Sequence, residues 1–81
     1  MNKFQIALYR GTNDTQEFWE SEDHSLLILR VKTQRAWSIH QNHRFRGFAT
    51  SAEAAASQIG CTLSREREWV RNAGFFQLVE A

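Results

Sequence analysis

The chain has no proline, a single cysteine and only four glycines, none adjacent to another. Without proline it has no polyproline recognition segment and no proline-rich linker. Cys61 has no second cysteine to pair with, and a lone thiol fits a reducing compartment. Isolated glycines exclude a glycine-rich phosphate loop. The longest unbroken apolar run, Leu26 to Leu29, is far too short for a membrane-spanning helix. The opening Met1 to Phe4 lacks the apolar core of a signal peptide. These absences point to a cytoplasmic protein with no membrane partner. The 81 residues leave room for one domain and one core. At 42% hydrophobic and 23% charged residues, the composition is that of an ordinary globular chain rather than a disordered one. A domain this small buries only about 60% of its unfolded surface, so modest stability is expected.

The net charge of +1 names no partner, but the charges are segregated. Asp14, Glu17, Glu20, Glu22 and Asp23 lie in a stretch with no Lys or Arg. Arg30, Lys32, Arg35, Arg44 and Arg46 follow in a stretch with no acid, together with His40 and His43. Such asymmetry marks interaction surfaces, or two blocks that compensate each other within the fold or are simply solvated. Arg outnumbers Lys eight to two, and its planar fork suits carboxylate or phosphate contacts.

Phe4, Ile6 and Leu8 alternate with Gln5, Ala7 and Tyr9, which predicts a strand ending at Gly11. Thr12 to Ser25 reads as a polar, acidic loop, with room for one helical turn starting near Asp14 or Thr15. Its aromatics, Phe18 and Trp19, either pin the loop to the core or stand out as a binding anchor. Leu26 to Lys32 is a second strand, apolar on both faces at its start and therefore central. Arg35 to Gln41 is a third, with Trp37 and Ile39 on one face and Ser38 and His40 on the other. Asn42-His43 is a two-residue turn. Arg44 to Ala49 returns as a fourth strand, with Phe45 expected on the Trp37 face. Phe48 keeps the alternation only if Gly47 forms a bulge. Thr50-Ser51-Ala52-Glu53 has the pattern of a capping box, followed by Ala52, Ala55, Ala56 and Ile59 at helical spacing and a stop at Gly60. Ser64 is placed to cap a second helix, Arg65 to Ala73, with Trp69, Val70 and Ala73 inward and Gly74 at its end. Phe75 to Val79 is a last strand. The predicted fold is α+β: an antiparallel sheet of four to five strands with two short helices on one face, in the order β-β-β-β-α-α-β.

No catalytic constellation is evident. A structural zinc site needs four ligands in paired spacings, and His40 with His43 is the only such pair. Cys61 follows a helix end, where a thiol is not activated. The chain thus reads as a non-enzymatic binder without cofactor or metal. A basic strand face of Arg30, Lys32, Arg35, Arg44 and Arg46 suits a phosphate backbone or an acidic protein. Residues 52 to 73 are also spaced like a helix-turn-helix unit, although Glu66 stands where an aliphatic residue is usual. A homodimer through an exposed sheet edge is a third reading.

The short α+β chain has no catalytic set and carries an acidic, aromatic stretch at Asp14, Glu17, Phe18, Trp19, Glu20, Glu22 and Asp23. In these features it is similar in kind to the anti-CRISPR proteins, small phage-encoded inhibitors of bacterial defence. That resemblance implies stoichiometric inhibition of a nucleic-acid-handling complex, with the acidic stretch as the partner-binding surface. The basic block departs from a purely acidic nucleic-acid mimic.

Overall fold

The computed structural model describes residues 5–81. It contains seven strands and one helix: β1 (Ile6–Thr12), β2 (Gln16–Ser21), β3 (Leu26–Val31), β4 (Trp37–Gln41), β5 (Arg44–Ala49), α1 (Ala52–Gln58), β6 (Cys61–Asn72) and β7 (Phe75–Glu80). All seven strands form one mixed sheet in the order β5-β4-β3-β2-β1-β6-β7. Strands β1 to β5 are an antiparallel meander. The chain then crosses through α1 and returns as β6, parallel to β1, and β7 pairs antiparallel with β6. The expected sheet of four to five antiparallel strands with two helices is therefore corrected to seven strands, one parallel pairing and one short helix.

Two segments account for the difference. Thr12 to Ser25, expected as a loop, contains β2. Asn13 makes the β1–β2 turn by accepting from the backbone N–H groups of Thr15 and Gln16 at 3.0 and 2.8 Å. Phe18 and Trp19 then point to opposite faces of the sheet, as successive strand residues must, and both are buried. An adjacent apolar pair hides the period of two because both faces are covered at this point. Arg65 to Ala73, expected as a helix, is mostly strand β6. Gly74, expected to stop that helix, instead forms a two-residue hairpin turn with Ala73, both at positive φ. The helix-turn-helix reading of residues 52 to 73 falls with the second helix.

Other expectations hold with small shifts. Strand β3 lies inside the sheet between β2 and β4. Asn42 and His43 both have positive φ, as the tight turn requires. The helix cap is Ser51 rather than Thr50: the Ser51 hydroxyl accepts from the Ala54 N–H at 3.0 Å. The start of the first expected strand, at Phe4, lies outside the described residues.

The core lies under α1. Ala55 and Ala56, fully buried, let the helix approach the sheet closely. It rests over Leu8, Trp19, Leu26, Ile28, Trp37, Ile39, Ala49 and Cys61. The opposite face has its own aromatic cluster at one end. Phe18 pairs across from Gly11 and meets Phe76 edge to face at 5.2 Å between centroids. The Trp69 indole N–H donates to the Glu20 carbonyl at 3.0 Å. Gly11 is required for this packing: a Cβ there would stand 2.4 Å from the Phe18 ring and 2.8 Å from Trp69 Cβ. Gly11→Ala is expected to destabilise the fold by about 1–3 kcal/mol through overpacking, measured by urea unfolding. An unchanged midpoint would contradict this packing.

Candidate functional site: the bare end of the sheet

The acidic stretch is largely committed to the fold. Glu17 accepts from Arg10 Nε at 2.8 Å and from Arg30 Nη2 at 2.7 Å. Arg30 thus joins the acidic and basic blocks, and it also bonds the carbonyls of Lys32 and Gln34 and lies over the Trp37 ring. Glu20 lies 3.4 Å from His24 Nδ1. Glu22 accepts from Arg67 at 3.1 Å, and Arg67 also donates to the Tyr9 hydroxyl. Asp23 builds the β2–β3 turn: one carboxylate oxygen accepts from the Ser21 hydroxyl and from the Ser25 N–H and hydroxyl. Asp14 is exposed in the β1–β2 turn. Phe18 and Trp19 lie within the sheet's two packed faces. Of the partner-binding set expected from the sequence, the two aromatics are therefore inside, and Asp14, Glu22 and Asp23 are exposed.

The basic block divides differently. Lys32, Arg35, Arg44 and Arg46 are exposed and make none of the ion pairs among the described residues. Arg44 pairs in register with Gln41, on the helix side of the sheet. Arg46 lines a depression with Ile39 and Ile59 on that same side.

Phe45 and Phe48 are the residues whose exposure the sequence reading missed. Phe45 was expected beside Trp37. The Asn42-His43 turn pairs it instead with His40, on the face opposite the helix. The register then slips so that Gly47 opposes Ile39 and Phe48 opposes Ser38. Arg46 is the extra residue, and Gly47, at φ 131°, carries the irregular backbone. The bulge returns Phe48 to the same face as Phe45. The two rings stand 5.0 Å apart, 55% and 64% exposed. His40 lies 5.7 Å from Phe45, and its Nε2 is 3.0 Å from the Ser38 hydroxyl. That hydroxyl donates to the Leu29 carbonyl, so Nε2–H is the donor to Ser38. Beside Phe48, a depression of about 430 Å³ is lined by Arg35, Ala36, Ala49 and Thr50.

The histidines form a second feature of this face. His24, His40 and His43, the only three in the chain, line a depression of about 210 Å³ with Glu20, Ser25 and Leu27. The sequence separated His24 from the other two; the β2–β3 and β4–β5 turns bring them to one place. Among the described residues, no group of three or more His, Cys, Asp or Glu side chains is arranged to hold a metal ion. Cys61 is buried, and burial raises its thiol pKa, which disfavours the reactive thiolate.

The carboxylates of the acidic stretch respond to pH with opposite signs. The Arg30 guanidinium chiefly holds Glu17 below the usual carboxylate range. Bonds from Ser25 and Ser21 hold Asp23 down to about 2. Lowered carboxyls stabilise the fold above their unfolded pKa, and that stability is lost as pH falls through the folded value. Burial raises Glu20, so its ionised form costs stability at neutral pH, and protonation removes the cost. Glu17→Gln is expected to lower neutral-pH stability by about 2 kcal/mol, with the difference shrinking in acid. Glu20→Gln is expected to leave it unchanged or raise it. Denaturation curves of the two variants from neutral to acidic pH check both signs.

Compared with known proteins, the chain matches no family model, no curated protein and no solved structure.

Proposed function

We propose that this is a non-enzymatic binding protein whose working surface is the bare end of the sheet, and that it holds single-stranded nucleic acid there. The observation that carries the reading is the exposed Phe45–Phe48 pair. It lies on a strand face with no helix above it, within a span from His24 to Ala52 that contains no acid. Exposed rings on an open sheet are stacking platforms for unpaired bases, since every base has a π-face. Arg35 borders the depression beside Phe48 and is the base best placed to meet a phosphate. Lys32, Arg44 and Arg46 add positive potential around the same end of the sheet. Arg44 and Arg46 lie on the other side of the edge strand, so their role is attraction rather than contact with the stacked bases. Arg30, bound to Glu17, belongs to the framework.

The inhibitor expected from the sequence, of the anti-CRISPR kind, would have used Phe18 and Trp19 with the acids around them. With those aromatics inside and Glu17, Glu20 and Glu22 each beside a basic side chain, less supports that surface than supports Phe45 and Phe48. A cytoplasmic location belongs to the same reading and rests on the lone thiol of Cys61. No helix among the described residues is long and apolar enough to cross a membrane.

Titration against labelled single- and double-stranded DNA and RNA, at low and near-physiological salt, tests the proposal. Single strands are expected to bind more tightly than duplexes, with affinity falling as salt rises. Phe45→Ala and Phe48→Ala are each expected to cost about 1–3 kcal/mol of binding and to leave the fold intact. Arg35→Glu is expected to weaken all sequences alike and to flatten the salt dependence. Absence of binding at low salt, or affinity indifferent to both phenylalanine variants, would overturn it.

A further inference from the structure

The two edges of the sheet are β5 and β7, and they are protected unequally. Strand β5 has the devices that keep an edge from pairing: a bulge, and arginines at 44 and 46. Strand β7 has neither. Its sequence, Phe75-Phe76-Gln77-Leu78-Val79-Glu80, carries no charge before its last residue, and its registered pairing with β6 runs without interruption. Phe75 and Val79 are 62% and 36% exposed, and Val70 beside them on β6 is 41% exposed.

The hydrogen-bonding pattern shows which backbone groups of β7 are available. Asn72–Phe75, Val70–Gln77 and Glu68–Val79 are opposed in the hairpin. The Ala81 N–H donates to the Glu66 carbonyl at 3.2 Å, extending the same series. Hydrogen-bonded and non-bonded positions alternate along an antiparallel ladder. The main-chain groups of Phe75, Gln77 and Val79 therefore turn toward β6, and those of Phe76, Leu78 and Glu80 turn outward.

We infer that β7 pairs antiparallel with β7 of a second copy of this chain, about a two-fold axis through Gln77. This register is self-complementary. Phe76 opposes Leu78 of the second copy, and both present outward-turned N–H and C=O groups to each other. On the other sheet face, Phe75 opposes Val79 of the second copy, an aromatic against a β-branched residue. Glu80 opposes Gly74 of the second copy, so no like charges meet. The pairing joins two seven-stranded sheets into one and leaves Phe45 and Phe48 at the far edges. It is independent of what those rings bind.

Sedimentation or light scattering over a range of protein concentrations, with hydrogen exchange on the same samples, tests the inference. The expected result is a dimer at high concentration that dissociates on dilution, with the amides of Phe76 and Leu78 protected only in the dimer. The double variant Phe75→Lys, Val79→Lys places two lysines on the edge and is expected to stay monomeric with an unchanged circular dichroism spectrum. Exchange in the unmodified protein keeps the test decisive if that variant fails to fold. A monomer at every concentration, a dimer whose Phe76 and Leu78 amides exchange freely, or a dimer that persists in the folded variant would each overturn the inference.

Discussion

One short helix has to serve a wide sheet. Helix α1 has seven residues and is about 10 Å long, whereas seven strands at the usual spacing span about 29 Å. The helix covers part of one face, and its alanines bring it close enough to seal Leu8, Ile28 and Ile39 completely. The rest of the sheet must be covered by its own side chains or left bare. At the β1–β6–β7 end, the Phe18, Trp69 and Phe76 rings cover the second face. At the β4–β5 end nothing comparable does, and Phe45 and Phe48 stand in the open.

The same limitation explains how the charges are used. A sheet without a second covering layer has solvent-accessible rows of side chains where ion pairs bridge neighbouring strands. Arg10 on β1, Glu17 on β2 and Arg30 on β3 form such a row across three strands. Arg67 lies in the stretch of β6 where its register against β1 slips, and its guanidinium sits 4.8 Å over the Tyr9 ring while reaching Glu22. Exposed ion pairs contribute little individually, but these fix strand register by satisfying long side chains in one alignment. Of the acids that looked like an interaction surface, Glu17, Glu20, Glu22 and Asp23 serve the fold, whereas Lys32, Arg35, Arg44 and Arg46 at the bare end stay outside the ion pairs among the described residues.

Legibility in the sequence followed the range of the interactions. Strands β3 and β4, the turn at Asn42-His43, the alanine helix and the last strand could be read because their signals are local: alternation, turn chemistry and a nearby cap. Strand β2 was hidden because its two aromatics are adjacent, and Glu17 finds its arginines on β1 and β3. Strand β6 was hidden because Arg and Glu suit a helix as well as a strand when read in isolation. Its strand character comes from its neighbours in the sheet: Tyr9 and Arg10, far away in the chain, on one side, and β7, returning through the Ala73-Gly74 turn, on the other.

The amino-acid sequence by itself determined the single small domain and the segregation of acidic and basic residues, because composition and short-range order carry that information. Tertiary structure alone decided which aromatics are buried and which charges are free. Phe18 and Phe45 each sit in a strand beside charged neighbours. One lies over Gly11 and against Phe76, and the other was placed on the uncovered face by a two-residue turn. The difference is one of strand register and of what lies above each face, and neither is a property of the residues themselves.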